Sequence, residues 1–432
     1  MQNRDVAIRF NSINGQLSNL PIRICLLLSL IVCIYQAGRR GIGNWYFRQA
    51  SPASIQAAIQ WDGDNAQYYD ELGTLTHFYA VSPNLDESVR LFESATRLSP
   101  YDAHYWSDLG AAYDWAGQTN DAVSAFRRAL GLFPNSPEIN WRFANFAFRS
   151  RRISEALRAL QIVLAGNSPS HREVFRLAAN ATHNDRAILE VLPPQTSVFF
   201  DYLSFEMEAS NVPAAEQAWC RFLQLKLSFD LRQAFPYLDA LILRREPDRL
   251  AAAWSALAER FPEQIGPLLI KPNLVANGSF EHDLLNGGMD WRIVPVEGAV
   301  AGLDSQGAFE GSRALRIEFN GKRNLDYGHV LQYVAVRPNT RYRFSGALRV
   351  SRITTDSGPR FQVFDAFNMQ DLFLSTENAV GTSDWSSQQL EFETKANTRL
   401  LMVRVARPPS EKLDNQIGGT VWIDQVSLIP VN

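Results

Sequence analysis

A spacing of 34 residues between two prolines, Pro100 and Pro134, constrains the fold of this chain more than any other feature of its sequence. Between these prolines, apolar and small residues recur at helical intervals in two successive stretches. The first stretch contains Trp106, Leu109, Gly110 and Tyr113, and the second contains Ala122, Phe126 and Ala129. Gly110 and Ala122 are small enough for two helices to cross closely, and Pro134 ends the second helix. The pattern predicts a helix–turn–helix unit that buries its apolar faces by stacking on similar units.

These positions are typical of the tetratricopeptide repeat, and residues 103–134 strongly resemble one copy of it. A preceding copy ends at Pro100 and has a short insertion near residues 82–84; it contains Tyr69, Leu72, Gly73, Phe92 and Ala95. A third copy, with Phe143-Ala144 in place of Leu-Gly, is degraded, and helical spacing continues from 170 to 265 without the signature. The resemblance implies an α-solenoid over residues 61–265 whose groove binds a protein partner. A rigid spacer is the alternative.

Alternation with a period of two replaces the helical spacing after a linker predicted at residues 266–273. Side chains in 342–350 divide into an apolar face that includes Tyr342 and Phe344 and a polar face that includes Arg343 and Arg349. Similar short segments are predicted as strands at 314–319, 330–336, 361–366, 389–393, 400–406 and 420–429. Many short strands separated by Gly, Pro, Asn and Asp predict an antiparallel β-sandwich over residues 274–432.

The two ends of this β region carry a further resemblance. It opens with Asn277-Gly278-Ser279-Phe280-Glu281, followed by Trp291, and it closes with a strand that contains Trp422 and Asp424. This layout resembles the jelly roll of carbohydrate-binding modules in the galactose-binding-like superfamily. The resemblance implies polysaccharide binding on one sheet and a structural calcium ion held by Glu281 and Asp424. Many relatives carry a second acidic residue where this chain has Gln425, and no other cofactor is expected.

Sugar binding requires aromatic rings for stacking and planar polar groups that bind hydroxyls in pairs. The candidates that lie off the predicted core face are His329, Tyr333, Arg343, Arg349, Phe364 and Arg404. We expect Arg343, and Tyr333 on a neighbouring strand, to line one cleft; the alternative for each candidate is an ordinary strand residue. Trp291, Trp385 and Trp422 are interpreted as core or framework residues.

The N-terminal region carries one apolar run. Ile24–Tyr35 is almost wholly apolar between Arg23 and Arg39-Arg40, and it predicts a membrane helix at 21–38, after a tail at 1–20 and before a linker and first helix at 39–60. A helix over the run up to Gly38 is about 22 Å long, so it spans a bilayer only if flanking arginines snorkel. We expect a signal anchor; a cleaved signal and a buried helix are the alternatives. The combination with a sugar-binding-like module favours export of the rest of the chain to the periplasmic or extracellular side.

Composition and motifs exclude several classes of protein. The net charge is −3 at pH 7, so nucleic acid, which requires a concentrated cationic surface, is not an expected partner. The sequence has no Gly-rich phosphate loop, His-Glu-x-x-His or Gly-x-Ser-x-Gly motif. Cys25, Cys33 and Cys220 form neither a disulfide framework nor a metal-ligand pattern.

These observations predict a non-enzymatic, membrane-anchored adaptor of the cell envelope. Its repeats would bind a protein and its jelly roll a polysaccharide, a combination that suits exopolysaccharide or envelope-glycan assembly and export. The second hypothesis is a purely structural protein-interaction scaffold whose β-module binds no sugar. A glycoside hydrolase with an unrecognised site is the third.

Overall fold

The computed structural model describes residues 20–79, 84–166 and 169–431. The chain divides into two compact units, Met1–Pro193 and Pro194–Asn432, and each is described by itself. Helices form the first unit, and five helices precede two antiparallel sheets in the second. The predicted fold class, α followed by an antiparallel β-sandwich, is confirmed.

The first helix, α1 (Leu20–Phe47), is longer than the predicted membrane segment. It continues past residue 38 because its C-terminal part packs on the next helices: Tyr46 and Phe47 join their apolar core, and Arg39 forms ion pairs with Asp62 and Asp64. Its N-terminal apolar side chains are exposed, as Leu28 at 57% shows. Of the predicted tail at 1–20, only Leu20 falls within the described residues.

Nine further helices complete the described part of the first unit. They are α2 (Pro52–Trp61), α3 (Ala66–Thr74, continued by a π-helical turn at Leu75–Tyr79), α4 (Leu85–Leu98), α5 (Ala103–Trp115), α6 (Thr119–Leu132), α7 (Pro137–Arg149), α8 (Ile153–Ala165), α9 (His171–Thr182) and α10 (Asp185–Val191). The close crossing predicted from glycine recurs in two pairs. A Cβ atom on Gly110 would lie 2.9 Å from the ring of Phe126, and one on Gly73 would lie 3.0 Å from Phe92. The predicted insertion near 82–84 falls largely outside the described residues.

The second unit begins with the helices α11 (Thr196–Glu208), α12 (Val212–Gln224), α13 (Phe235–Leu243), α14 (Pro247–Arg260) and α15 (Pro262–Ile265), with 3-10 turns at Leu231–Ala234 and Gly266–Leu268. The segment predicted as a linker is partly packed against the strands. Leu268 is buried, and its carbonyl accepts a hydrogen bond from the backbone N–H of Asn277 at 2.7 Å. Gly287 and Gly288 have no side chains, which lets Phe235 and Trp254 approach their backbone closely.

Ten strands form the two sheets: β1 (Arg292–Ile293), β2 (Ala299–Asp304), β3 (Ala314–Asn320), β4 (Tyr327–Ala335), β5 (Arg341–Ile353), β6 (Arg360–Asp365), β7 (Phe373–Ser375), β8 (Gly381–Glu393), β9 (Leu400–Arg407) and β10 (Gly418–Pro430). Sheet A has the order β1-β4-β9-β6-β7, and sheet B has the order β2-β3-β10-β5-β8. Both sheets contribute side chains to one apolar core. We call the opposite side of each sheet its outer face.

Alternation predicted the core side of β5 correctly: Tyr342, Phe344 and Leu348 are buried between the sheets. Trp291 is also buried, as predicted. Of the two alternatives for Trp385 and Trp422, core or framework residues, the core position is wrong, because neither belongs to the apolar core between the sheets. Both lie half-buried on the outer face of sheet B: Trp422 alternates with the inward-facing Val421 and Ile423, and Trp385 lies beside Arg349 on the same face.

Candidate functional site

Four of the six predicted sugar-binding residues share the outer face of sheet A. His329 and Tyr333 lie on β4, Arg404 on β9 and Phe364 on β6. Strand pairing arranges the residues of this face in rows. One row contains Phe373, Phe364, Met402 and Tyr333, and the next contains Gln362, Arg404, Leu331 and Arg292. The first row crosses three strand spacings, or about 14 Å, which is long enough for an oligosaccharide.

The other two candidates lie elsewhere. Arg343 and Arg349 are on β5, which belongs to sheet B, whereas Tyr333 belongs to sheet A. The expectation that Tyr333 and Arg343 line one cleft is therefore wrong. The chain crosses from one sheet to the other between β4 and β5, so the polar sides of these consecutive strands face opposite sides of the sandwich.

The side chain of Arg404 is held in a fixed position on sheet A. Its Nε donates a hydrogen bond to Oε1 of Gln362 at 2.8 Å, and its guanidinium lies 5.0 Å from the centroid of the Phe364 ring. On β4 the pairing with β9 is irregular between Tyr327 and Val330, and a Cβ atom on Gly328 would lie 2.9 Å from Nη1 of Arg404. Gly328 therefore leaves the space that the guanidinium occupies. Burial lowers the pKa of Arg404, and the charge of Asp326 opposes that effect in part.

The aromatic residues of this face differ in their exposure. Phe364 is only 5% exposed, because it lies beneath Arg404 and next to Phe373 at 5.9 Å between ring centroids. It supports the face and offers no open ring for stacking. Phe373 is 44% exposed, and Tyr333 is half-buried with the guanidinium of Arg292 5.5 Å from its ring. Of these three rings, Phe373 and Tyr333 are the more exposed.

Helices α13 and α14 line one end of the outer face of sheet A. Asp239 on α13 forms an ion pair with Arg292 at 2.5 Å, beside Tyr333. Asp248 on α14 forms another, at 3.6 Å, with Arg399 just before β9. Burial raises the pKa of Tyr333, while the positive charge of Arg292 opposes that effect. Arg404 shares a row with Arg292 but lies two strands away from it, and Arg360 lies in the next row along β6.

Several residues of this face were not predicted. Gln362 and Arg360 follow from Phe364 by the same alternation, two and four residues back along β6, so the sequence held a usable signal for them. Phe373 was missed because β7 has only three residues. Arg292 was missed because β1 has only two. Strands this short have no alternation to detect.

The outer face of sheet B is organised differently. Arg343 and Arg341 both donate to the carboxylate of Glu391 at 2.9 Å. Arg349 lies between two indole rings, 4.2 Å from the centroid of Trp422 and 5.4 Å from that of Trp385. Each of these three arginines is therefore engaged by neighbouring side chains.

Glu281 and Asp424, the predicted calcium ligands, both contact the loop between β2 and β3. Glu281 accepts hydrogen bonds from the backbone N–H and hydroxyl of Ser312 and from the N–H of Arg313. Asp424 is fully buried and accepts from the N–H groups of Phe309, Glu310 and Gln425. Burial raises the pKa of Asp424, and the negative charge of Glu281 contributes to that increase.

Three hydrogen bonds to each carboxylate leave about one lone-pair site on each for a cation. Asp424 forms no ion pair within the described residues. Carboxylate oxygens such as those of Glu281 and Asp424 are hard ligands of the kind that calcium prefers. Within residues 20–79, 84–166 and 169–431, no three His, Cys, Asp or Glu side chains lie together as metal ligands. Any remaining ligands of an ion would therefore be backbone carbonyls or water.

The helices of the second unit enclose a separate cavity of about 300 Å³. Residues of α11 and α13 supply most of its lining, which is mainly apolar: Phe200, Leu203, Met207, Tyr237, Ala240 and Leu243. Leu243 is 80% exposed at its edge. A cavity of this size fits one or two apolar side chains.

Comparison with known families supports the helical assignment. A family model described as a tetratricopeptide repeat matches residues 115–181. This part of the chain consists of tetratricopeptide repeats. Among curated proteins, the chain is similar to the tRNA nuclease WapA of Bacillus subtilis, at 24% identity over 204 residues that cover 45% of this chain and 8% of that protein. It is also similar to Superkiller protein 3 of Schizosaccharomyces pombe, at 33% identity over 85 residues that cover 20% of this chain and 6% of that protein. The chain thus matches less than a tenth of the length of either relative.

Solved structures with similar folds fall into two groups. A structure titled "CBM4 structure and function" covers 36% of this chain and 99% of its own at 13% identity, with a TM-score of 0.27. The TmCBM61 structure with β-1,4-galactotriose covers 37% of this chain and 100% of its own at 17% identity, also with a TM-score of 0.27. The PilF protein of Pseudomonas aeruginosa covers 46% of this chain and 92% of its own at 16% identity, again with a TM-score of 0.27. At these identities the likeness concerns the fold alone.

Proposed function

We propose that the chain is a non-enzymatic, membrane-anchored adaptor that binds a polysaccharide on the outer face of sheet A and a protein through its helical repeats. The arrangement of that face carries the proposal. Phe373 and Tyr333 lie three strand spacings, or about 14 Å, apart at their backbones, and Arg404 and Gln362 offer planar polar groups in the next row. Rings for stacking beside paired hydrogen-bonding groups are what sugar recognition requires.

The first experiment is a titration of the full chain, purified in detergent micelles, against a panel of polysaccharides. Phe373→Ala and Tyr333→Ala should each weaken binding about 10-fold, because each removes a stacking surface. Trp385→Ala is the matched control, since it removes a half-buried aromatic ring from the outer face of sheet B. Equal losses in all three variants, or a loss in Trp385→Ala alone, would assign binding to another surface.

Support for the protein-binding part comes from the tetratricopeptide repeats and from the apolar cavity between α11 and α13. Repeat arrays present extended grooves in which partners bind. We infer that the partner inserts an apolar side chain into this cavity. Ala240→Trp, which fills the cavity from α13, should abolish capture of the partner identified by crosslinking, and unchanged capture would contradict this inference.

The anchoring part rests on α1. The helix at Ile22–Phe47 is long and apolar enough to cross a membrane, with a mean hydropathy of 1.6, although an N-terminal signal sequence has the same properties. We propose that it stays attached and that the rest of the chain lies outside the cytoplasm, in the cell envelope. Full-length protein should resist extraction by high salt and dissolve in detergent, whereas a chain starting at residue 41 should be soluble. If the mature protein instead lacks this N-terminal helix, the helix is a cleaved signal sequence and not an anchor.

A structural calcium ion is a further part of this proposal. Glu281 and Asp424 would hold it beside the loop that both carboxylates contact. Such an ion would offset the mutual repulsion of the two carboxylates and fasten the loop to both ends of the β-module. The proposal assigns no nuclease activity to the chain, because the chain matches only 8% of the WapA protein.

A purely structural scaffold remains the second candidate. Two ion pairs and two close approaches join α13 and α14 to the β-module and favour it, since a module can serve only to complete a helical unit. The polysaccharide titration separates the two, because the scaffold predicts no binding to any polymer of the panel.

A further inference from the structure

The outer face of sheet A carries an excess of positive charge. Its five strands contain four arginines and one carboxylate, and that carboxylate, Asp365, is buried and accepts hydrogen bonds from the N–H groups of the following turn. Of the arginines, Arg407 faces inward and Arg292 is paired with Asp239. Arg404 and Arg360 remain, and both lie on the outer face.

Neither of these two guanidinium groups forms a salt bridge with any residue that the structure describes. Arg360 donates only to the carbonyl of Gly358 and the hydroxyl of Ser357, and Arg404 only to the amide of Gln362. Both are partly buried, and burial lowers the pKa of each. A cation that has lost part of its hydration without gaining a carboxylate is poised to bind an anion.

The two cations are also close together. Arg404 on β9 pairs with Gln362, two residues along β6 from Arg360, so the two arginines are diagonal neighbours about 7 to 8 Å apart at their backbones. The exposed Asp326 is the nearest carboxylate that affects Arg404, and it lies beyond salt-bridge range.

The orientation of Arg404 favours a planar anion. Its Nε is committed to Gln362 and its ring face to Phe364, while its two terminal nitrogens make no hydrogen bond within the described residues. A guanidinium fixed in this way offers two parallel N–H groups, which match the two oxygens of a carboxylate.

We propose that the ligand of this face is an acid-bearing polysaccharide whose acidic groups, carboxylate in the first place and sulfate as the alternative, pair with Arg404 and Arg360. The inference rests on the proposed polysaccharide-binding function and narrows its ligand class. Sugar rings would stack on Phe373 and Tyr333, and the acidic groups would lie over the neighbouring rows toward Arg360.

The test uses the full chain in detergent micelles and three polymer pairs. Each pair consists of a polyuronate, namely polygalacturonate, polyglucuronate or polymannuronate, and the same polymer after reduction of its carboxyl groups. We expect at least one polyuronate to bind about 10-fold or more tightly than its reduced partner, with an affinity that falls as salt is added. Dextran sulfate and dextran form a fourth pair, which separates sulfate from carboxylate.

Variants locate the effect. Arg404→Gln should weaken binding to the acidic polymer about 10-fold to 100-fold and should weaken binding to its neutral partner by a clearly smaller factor, because glutamine keeps a planar hydrogen-bonding group. Arg404→Lys keeps the charge and loses the planar guanidinium. Its affinity for the acidic polymer should lie between those of the wild type and Arg404→Gln. Arg343→Gln is the matched control, since it removes the same charge from the outer face of sheet B. An unchanged melting temperature of Arg404→Gln shows that the variant folds.

The possible results are distinct. Equal or tighter binding of the neutral polymers, with losses in Phe373→Ala and Tyr333→Ala, would overturn the acidic ligand and keep the proposed function. Equal losses in Arg404→Gln and Arg343→Gln would also overturn it, because the effect would then be one of net charge. If no polymer of either kind binds, the proposed function fails and this inference fails with it.

Discussion

The two sheets of the β-sandwich differ in how the arginines of their outer faces are partnered. On sheet B, Arg341 and Arg343 pair with Glu391, and Arg349 lies between two indole rings. On sheet A, Arg404 and Arg360 reach the outer face without a carboxylate partner among the described residues. Composition reflects the contrast: the strands of sheet B include six acidic residues, Asp304, Glu318, Asp384, Glu391, Glu393 and Asp424, whereas those of sheet A include one. An arginine's role therefore depends on its neighbours across the strands.

The largest loss of stability is expected from replacing Arg407, an arginine of sheet A whose side chain points into the sandwich. Arg407 is fully buried and donates five hydrogen bonds; its acceptors are Ser357, Asn324, Leu325, Thr355 and Asn415. Arg407→Met should lower the free energy of unfolding by about 3 kcal/mol or more, because it leaves one buried and several partly buried acceptors without this donor. Chemical denaturation followed by tryptophan fluorescence measures the change.

Arg404→Met is the matched control on the same strand. Because Arg404 donates a single hydrogen bond and lies at the surface, its replacement should cost less than about 1 kcal/mol. Equal destabilisation by the two substitutions would mean that Arg404 is a structural residue like Arg407, and the contrast between inward and outward arginines would fail.

These examples show what the sequence could and could not predict. Alternation placed the core side of β5 and put His329, Tyr333 and Arg404 off the core, because side-chain direction follows from local geometry. It could not assign strands to sheets, since that depends on long-range pairing, and so it joined Arg343 to Tyr333 across opposite faces. The sequence also could not predict the side chains that contact each arginine, because these contacts depend on the same long-range strand pairing.

Repeat spacing was more informative than strand alternation. The prediction that Gly110 lies at a close helix crossing is confirmed by its distance to the ring of Phe126, because that contact forms within one repeat. In contrast, the outward position of Trp385 and Trp422 could not be derived, since a tryptophan on a strand fits either a core or a surface row. Repeat spacing therefore predicted the contacts within one repeat well, whereas strand alternation did not predict which residues share an outer face of the β-sandwich.

Buried carboxylates extend the comparison to a second kind of residue. Asp424 on sheet B accepts three N–H groups. Asp290, just before β1 of sheet A, is also fully buried, but its Oδ1 has no partner within the described residues. Burial raises the pKa of Asp290 to about 6. The folded protein thus binds this proton more tightly than the unfolded chain, so the contribution to stability is greatest below about pH 4 and is lost as the pH rises through about 6.

Asp290→Asn removes this ionisation and keeps an acceptor for the N–H of Leu285. Between pH 4 and pH 7, the free energy of unfolding of the wild type should therefore fall by roughly 2 to 3 kcal/mol relative to that of the variant. Urea titrations of both proteins across this range test the sign and the size. A constant difference would show that Asp290 does not titrate in this interval.

A bound calcium ion would add a second difference between the buried carboxylates, because Asp424 would then have a cation as partner and Asp290 would not. If Glu281 and Asp424 hold one, calcium at ten times its dissociation constant adds about 1.4 kcal/mol to the free energy of unfolding. Scanning calorimetry of the full chain with calcium and with chelator should then give separate transitions. Asp424→Asn should abolish the difference, and the exposed carboxylate variant Asp384→Asn should preserve it. Coincident transitions, with no metal in the purified protein, would remove the ion.

The smallest effect is expected from Arg343, the sheet B arginine that was predicted to bind sugar. Its ion pair with Glu391 is exposed, so solvent screens it, and Arg341 still pairs with Glu391 when Arg343 is replaced. Arg343→Gln should therefore leave the melting temperature within about 1 °C and the polysaccharide affinity within about twofold of wild type. Titration calorimetry of Arg343→Gln and Arg404→Gln with the same polysaccharide compares the affinities of the two variants. A loss confined to Arg343→Gln would move the binding face to sheet B, because only a ligand that displaces Glu391 would depend on that side chain.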